Sequence, residues 1–447
     1  MDAPRLRVPH PGPRTRGHLE RIRGAEASAG LTFGLSPETV VMERARGAAI
    51  EDVDGNVFLD FTAGFGSLNA GHCHPKVVEA VQAQAAKGHQ AMSMGSDVRL
   101  RLVEKVLSLI PGTEKRMILG ASGSEAAEAA IKIARRVTGR QDVVAFEGAF
   151  HGRTQGALAL MGRKGQRAGL PALQTGIHHV PFPYAYRSPF GRDEAACMEG
   201  TLRYIEEFLK NPASGWGEVA AVIIEPVQGN GGMIPAPHGF LRGLREICDR
   251  HGVLLIIDEV MSGFCRTGRM FAYLHEEGVD PDILVMGKSL SGGLPLSACA
   301  VKKEIADAAG AGTESSTYAG NLVACASGLA SIEVYEEEGL AERAAEMGGY
   351  FMRRLGELAE RHAVVGEVRG RGLMVAAELV SDRSTREPLM VAKEASAAAV
   401  ERGFLLYPGG HYANVLAFLP PLIINEGHVD KAVEILDEVL LAVPRMK

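Results

Sequence analysis

Two residues in this chain carry the clearest chemical signal. Asp258 closes the apolar run Val253–Ile257, and Lys288 follows the run Ile283–Met286 after a single glycine. Short apolar runs of this kind read as buried parallel strands. Functional groups in open α/β sheets gather at the carboxyl ends of such strands. A lysine amine attacks a carbonyl only when neutral, and burial or a nearby cation lowers its pKa enough to permit that. A buried carboxylate can keep a heterocyclic nitrogen protonated. Delivered together, Lys288 and Asp258 match the pairing that pyridoxal phosphate requires, a Schiff-base lysine and a partner for the pyridinium nitrogen. Taken singly, each has a plainer reading: a surface lysine at a strand end, and a helix cap or structural ion pair. Gly287-Lys288-Ser289 also matches the end of a P-loop, but that motif needs glycine at position 282, which is Asp282.

Two further stretches supply complementary groups. Ala121-Ser122-Gly123-Ser124-Glu125 opens a helical pattern. Backbone N–H groups at a helix start, with the hydroxyls of Ser122 and Ser124 and a glycine between them, form a phosphate cradle. An ordinary helix cap, with Glu125 in the first turn, is the alternative. Phe150-His151-Gly152-Arg153-Thr154 follows the strand-like VVAFE. There the Phe150 ring could stack on a cofactor ring and Arg153 could meet a substrate carboxylate; core packing and a surface ion pair are the alternatives.

The elements that must position these groups repeat in order. Strand, turn and helix alternate from about Met117 to Ala300, which predicts a mostly parallel sheet with helices on both faces. Before it lie an N-terminal arm with a short helix (1–35) and a hairpin, Ala49–Gly64, turning at Asp54-Gly55. A helix over Val98–Ile110 stops at Pro111-Gly112. After Glu333 the pattern changes to a long charged helix over Glu336–His362, strands at Val364–Arg369 and Leu373–Leu379, a helix near Val391–Arg402, a strand-like VLAFLPPLII and a final helix. The expected organisation is α/β: arm and hairpin (1–65) joined to a small α+β domain (334–447), around a large domain (66–333).

Composition narrows the function classes. At 447 residues the chain exceeds one small core, and 46% hydrophobic with 23% charged residues is a globular balance. A net charge of −6 gives no reason to expect nucleic acid or an anionic membrane as partner. The six cysteines are scattered without metal-ligand spacing, which points to buried thiols in a reducing cytoplasm and to no metal site. The N-terminus is basic and proline-rich with no apolar core, unlike a secretory signal, and no run of 18 apolar residues occurs.

With these segments in view, the chain resembles the class III (ω-type) aminotransferases of pyridoxal-phosphate fold type I, the group containing 4-aminobutyrate and acetylornithine aminotransferases. The resemblance rests on SGSEAAEAAIKIAR, FHGRT, IIEPVQGNGG, LLIIDEVMSGFCRTG, PDILVMGKSLSGGLPLSA, STYAGNLVACA, VRGRGLM and LPPLII, in family order from Ser122 to Ile424. It implies a fold with a large cofactor domain and a smaller α+β domain. By residue, it implies that Lys288 forms the Schiff base and shuttles the proton and that Asp258 pairs with the pyridinium. Phe150 and Val260 would sandwich the ring, with His151 beside it, while Ser122, Gly123 and Ser124 would hold the phosphate. Thr317 would reach the phosphate of a neighbouring subunit, making the active unit a homodimer.

Three departures from the family pattern bear on the substrate. Met261 replaces a glutamine that bonds the cofactor's phenolic oxygen, and methionine cannot donate. Cys265 replaces a glycine in GFCRTG. Ala417 replaces the arginine that grips a substrate carboxylate in relatives and pairs there with the glutamate matching Glu225. Glu225 is therefore expected at the site without that arginine, favouring a polycationic amine or amino sugar that lacks an α-carboxylate. Arg153, Arg371 or a water standing in for the missing partner is the alternative. The expected reaction is ping-pong transfer of an amino group between a primary amine and a keto or aldehyde acceptor. A racemase or epimerase, or an eliminating enzyme, shares the same first proton removal. A non-catalytic sensor lacks spare length for a DNA-binding unit. A dinucleotide-binding oxidoreductase fails because Gly64-Phe65-Gly66 lacks the third glycine.

Overall fold

The computed structural model describes residues 3–30, 36, 38–91, 94–170 and 173–443. The chain forms two compact units, one of residues 75–345 and one combining residues 1–74 with 346–447.

The first unit is built on a seven-stranded sheet. Its strands in chain order are β1 (Lys115–Gly120), β2 (Asp142–Phe146), β3 (Ile177–Val180), β4 (Val219–Ile224), β5 (Leu254–Asp258), β6 (Ile283–Met286) and β7 (Ser297–Lys302). Their spatial order is β1-β7-β6-β5-β4-β2-β3. The β6–β5, β5–β4, β4–β2 and β2–β3 pairs are parallel, while β7 runs antiparallel to both its neighbours. Every residue of β2, β4 and β6 is buried, which is why these strands appear in the sequence as unbroken apolar runs. Helices α1 (Gly123–Thr138), α2 (Glu194–Lys210) and α3 (Phe240–His251) connect them. Small side chains on α1, among them Ala126, Ala130 and Ala134, let its axis settle close to Val143, Ile223, Ile256 and Val285 in one core. The sheet is thus α/β, mostly parallel and flanked by helices, and the ends of β4, β5 and β6 bring Glu225, Asp258 and Lys288 to one edge.

The same unit ends in α4 (Leu322–Glu337), which the sequence reading did not foresee. Its buried residues lie all round the axis, so it lacks the polar face that marks an amphipathic helix. The expected charged helix begins instead at Leu340 and runs to Arg361, after a break at Gly339 (φ +59°).

In the second unit, Pro13–Ala25 is helical; the parts of the N-terminal arm at 1–2 and 31–35 lie outside the described residues. Ala49–Asp52 pairs antiparallel with Val57–Asp60 across the Asp54-Gly55 turn. Strands Val365–Arg371, Met374–Asp382, Val415–Phe418 and Tyr407–Gly409 form a second sheet. The strand in VLAFLPPLII is shorter than expected, ending at Phe418. Pro420 and Pro421, which have no N–H to donate, follow it.

Candidate active site

Asp258 closes β5 with 4% of its surface exposed. Its Oδ2 lies 2.7 Å from Nδ1 of His151, and its Oδ1 accepts from the Val260 N–H at 2.9 Å. Burial works against a charge on His151, but the hydrogen bond and charge of Asp258, helped by Glu225, outweigh it and raise the imidazole pKa above its usual value. The ring's other nitrogen, Nε2, is buried with no partner among the described residues. An N–H or lone pair left idle there suits a bound group that the protein itself does not supply.

Lys288 opens a short turn just past β6, with φ at +44°, a backbone conformation that side chains rarely occupy. Such strain concentrates at functional positions. Half-buried, its amine is pushed down to a pKa of about 8 by desolvation, with Arg266 acting in the same direction and the carboxylates of Glu225 and Asp258 opposing. A lysine in this state has a substantial neutral fraction near neutral pH, as a nucleophile or proton carrier needs.

Glu225 follows the last residue of β4 and is enclosed, at 6% exposure. One carboxylate oxygen accepts from the Phe150 N–H and the other from the Gly229 N–H, both at 2.9 Å. Burial pushes its pKa up to about 7; Asp258 adds to the rise, while His151 and the two amides oppose it. The Arg153 side chain is exposed, and within this unit the hydrogen-bond partners of Glu225 are these two peptide groups.

The glycine-serine turn is tied to the same place. Ser122 caps α1 by accepting from the Glu125 N–H, and Glu125 accepts from the Ala121 N–H at 2.7 Å. Ser124 Oγ accepts from the Arg153 N–H at 3.1 Å, joining the start of α1 to the FHGRT loop. Close approach explains two glycines here. A side chain at Gly123 would meet Val260 at 3.1 Å, and one at Gly152 (φ +136°) would run into Ser124. A side chain at Gly287, next to Lys288, would touch Val260, and one at Gly229 would run into the Met261 sulfur.

The fold therefore gathers Ser122, Gly123, Ser124, Phe150, His151, Glu225, Asp258, Val260, Met261 and Lys288, with the Arg153 backbone, at one edge of the sheet. The Arg153 and Thr317 side chains are exposed, and the Thr317 carbonyl accepts from Gln90. Ala417 lies in the other unit, fully buried in a strand where it pairs with Ala376 and Tyr407. The sequence reading missed two residues. Glu259 is fully buried, bonds Ser262 at 2.6 Å and accepts from the Tyr273 N–H at 2.7 Å, so it anchors the turn that carries Val260 and Met261. Arg266 is equally buried and biases Lys288. A charged residue inside the glycine-rich stretch after Asp258 was the available signal for both.

The profile of the family Aminotransferase class-III matches residues 34–440. The chain is a class III aminotransferase. The diaminobutyrate–2-oxoglutarate aminotransferase of Haemophilus influenzae is 38% identical over 403 residues, covering 88% of each protein. The isoleucine 2-epimerase of Lentilactobacillus buchneri is 38% identical over 416 residues, covering 90% of each. The crystal structure of an amine transaminase from an uncultivated Pseudomonas species, in its pyridoxal-phosphate-bound form, superposes with a TM-score of 0.83 at 32% identity, covering 99% of both chains.

This aminotransferase uses pyridoxal phosphate, and its residues fit that group on structural grounds alone. The donor set combines a lysine held partly neutral, a buried carboxylate, an idle buried imidazole nitrogen, and a helix start kept open where side chains at Gly123 and Gly152 would fill it.

Proposed function

We propose that this aminotransferase takes its amino group from a polycationic amine or an amino sugar lacking an α-carboxylate, and passes it to a keto or aldehyde acceptor in a ping-pong cycle. The observation that carries the reading is the seat of Glu225. Its carboxylate is held by the amides of Phe150 and Gly229, with alanine at 417 where relatives place an arginine. An enclosed carboxylate held within its own unit by two peptide N–H groups can also attract an ammonium group, since each oxygen retains a second acceptor direction. Relatives named for diaminobutyrate and 5-aminovalerate act on primary amines, the first with two amino groups, but both of these compounds also carry a carboxylate, so the relatives support a primary-amine donor and not the absence of a carboxylate.

Each residue then has a task. Pyridoxal phosphate, when bound, draws electrons from the carbon that carries the amine. Ser122, Gly123 and Ser124 would hold its phosphate at the start of α1, and Phe150 and Val260 would flank its ring. Asp258, oriented by His151 and the Val260 N–H, would hold the proton on the ring nitrogen. Lys288 Nζ would take a proton from the substrate carbon and deliver it to the carbon on the other side of the amine nitrogen. Met261 fills space beside Gly229 and offers no donor. The active unit is a homodimer to which each chain lends the exposed Thr317 loop; Tyr318 beside it is 67% exposed. Six free cysteines, five of them buried, support a cytoplasmic setting.

A second reading, racemisation, is favoured by the similarity to an epimerase. Mixing the enzyme with single amines decides between them. Transamination bleaches the cofactor absorbance with one equivalent of donor and releases a carbonyl product. Deuterium uptake at the substrate carbon without carbonyl product would replace the transfer reading with the second, and bleaching by α-amino acids in preference to polyamines would refute the donor class.

A further inference from the structure

At the opposite edge of the same sheet, beside the first residue of β4 and just before β5, lies a cavity of about 390 Å³. Six residues of β4, roughly 20 Å of extended chain, separate this edge from Glu225. Trp216, the chain's single tryptophan, and Phe208 line it with ring centroids 5.0 Å apart. Trp216 also stacks on His178 at 4.8 Å, and His178 is fixed by Asp142 at 2.6 Å. Asp142 in turn accepts from the Gly217 N–H at 2.6 Å, so the aromatic wall is braced on the sheet.

Arg140 lines the same cavity. Its Nη1 donates to the carbonyls of Val219, His251 and Gly252 at 3.2, 3.2 and 2.8 Å. These acceptors fix the guanidinium but carry no charge, and no carboxylate pairs with Arg140 among the described residues. The neighbouring cations differ: Lys210 and His251 both pair with Glu206, at 3.1 and 3.4 Å. Glu218, also at the rim, is exposed. The lining is mixed, with Lys210, Asn211, Ser214 and His251 beside the apolar groups. Within it, a half-buried, immobilised and uncompensated guanidinium next to two rings, already in place before binding, has the makings of a small-ligand site.

We infer that this cavity is a second ligand site, distinct from the catalytic edge, and that it takes a small aromatic carboxylate. The ring lies against Trp216 and Phe208, and the carboxylate sits on Arg140. Neither the donor preference nor the transfer reaction enters into this.

Emission from the sole tryptophan makes the test direct. The holoenzyme is titrated with benzoate, and with benzyl alcohol and acetate as probes that keep only the ring or only the charge. The expected result is a saturable change with benzoate and at least tenfold weaker responses to the other two. Arg140→Gln should weaken benzoate at least tenfold with transamination intact. Because Arg140 also ties three carbonyls, Phe208→Ala serves as a second variant that leaves the ties in place; it should weaken benzoate several-fold. A response linear in concentration and equal for all three probes would overturn the site. So would benzoate binding unchanged in Phe208→Ala or in a folded Arg140→Gln protein.

Discussion

Burial of Lys288 has a measurable consequence for its reactivity. With a pKa of about 8, roughly one amine in eleven is neutral at pH 7; at the ordinary value of 10.5 it would be roughly one in three thousand. The site therefore raises the reactive fraction by about 300-fold at that pH. Reductive methylation of the cofactor-free protein with formaldehyde and cyanoborohydride, followed at the Lys288 peptide by mass spectrometry from pH 6 to 10, reads this fraction directly. The rate at Lys288 should reach half its maximum near pH 8, well before that of exposed lysines in the same digest. Glu225 and Asp258 hold the amine's pKa up, so Glu225→Gln and Asp258→Asn should each move the midpoint below 8. A midpoint near 10, or an upward move in either variant, would refute the assignment of the shift to burial opposed by these two carboxylates.

Three other outcomes follow from the same geometry. The pKa of Glu225 is raised from 4.5 to about 7, so its contribution to stability is full below about pH 4.5 and is lost as pH rises through 7, by about 3 kcal/mol. Glu225→Gln should be less stable at low pH, having lost one acceptor for a buried N–H, and should show a flatter stability profile between pH 4.5 and 7 by denaturant unfolding; parallel profiles would contradict the shift. Gly152→Ala, at φ +136° and against Ser124, should lower stability by about 1–3 kcal/mol and weaken pyridoxal phosphate binding by about tenfold or more in an absorbance titration. Ala417→Arg should raise kcat/KM for α-amino acids and lower it for polyamines; the reverse change would remove the basis for the donor class.

How much could be read from the chain varied with how each feature is encoded. Asp258 and Lys288 were legible because buried parallel strands appear as uninterrupted apolar runs and a charged residue marks where each ends. The start of α1 was legible because Ser122, Gly123 and Ser124 are adjacent. Helix α4 was not, because Leu322–Glu337 is buried on all sides and offers no polar stripe to give it a period. The partners of Glu225 were hidden for another reason: they are amides of residues 75 positions before it and 4 after it, and a peptide N–H carries no residue identity. Pairing at Ala417 was equally silent, since an absent arginine says what is missing and nothing of what takes its place.

That peptide seat for Glu225 also affects how the enzyme can change. A carboxylate matched to an arginine can lose that partner through a single substitution. Here the two donors belong to the main chain, so most replacements at 150 leave their half of the grip intact, and only a residue that refits the turn at 229 disturbs the other. Drift in neighbouring side chains can reshape the pocket around a carboxyl group whose position the main chain fixes. The pocket's lining can then change while the place of the Glu225 carboxyl stays set by the backbone.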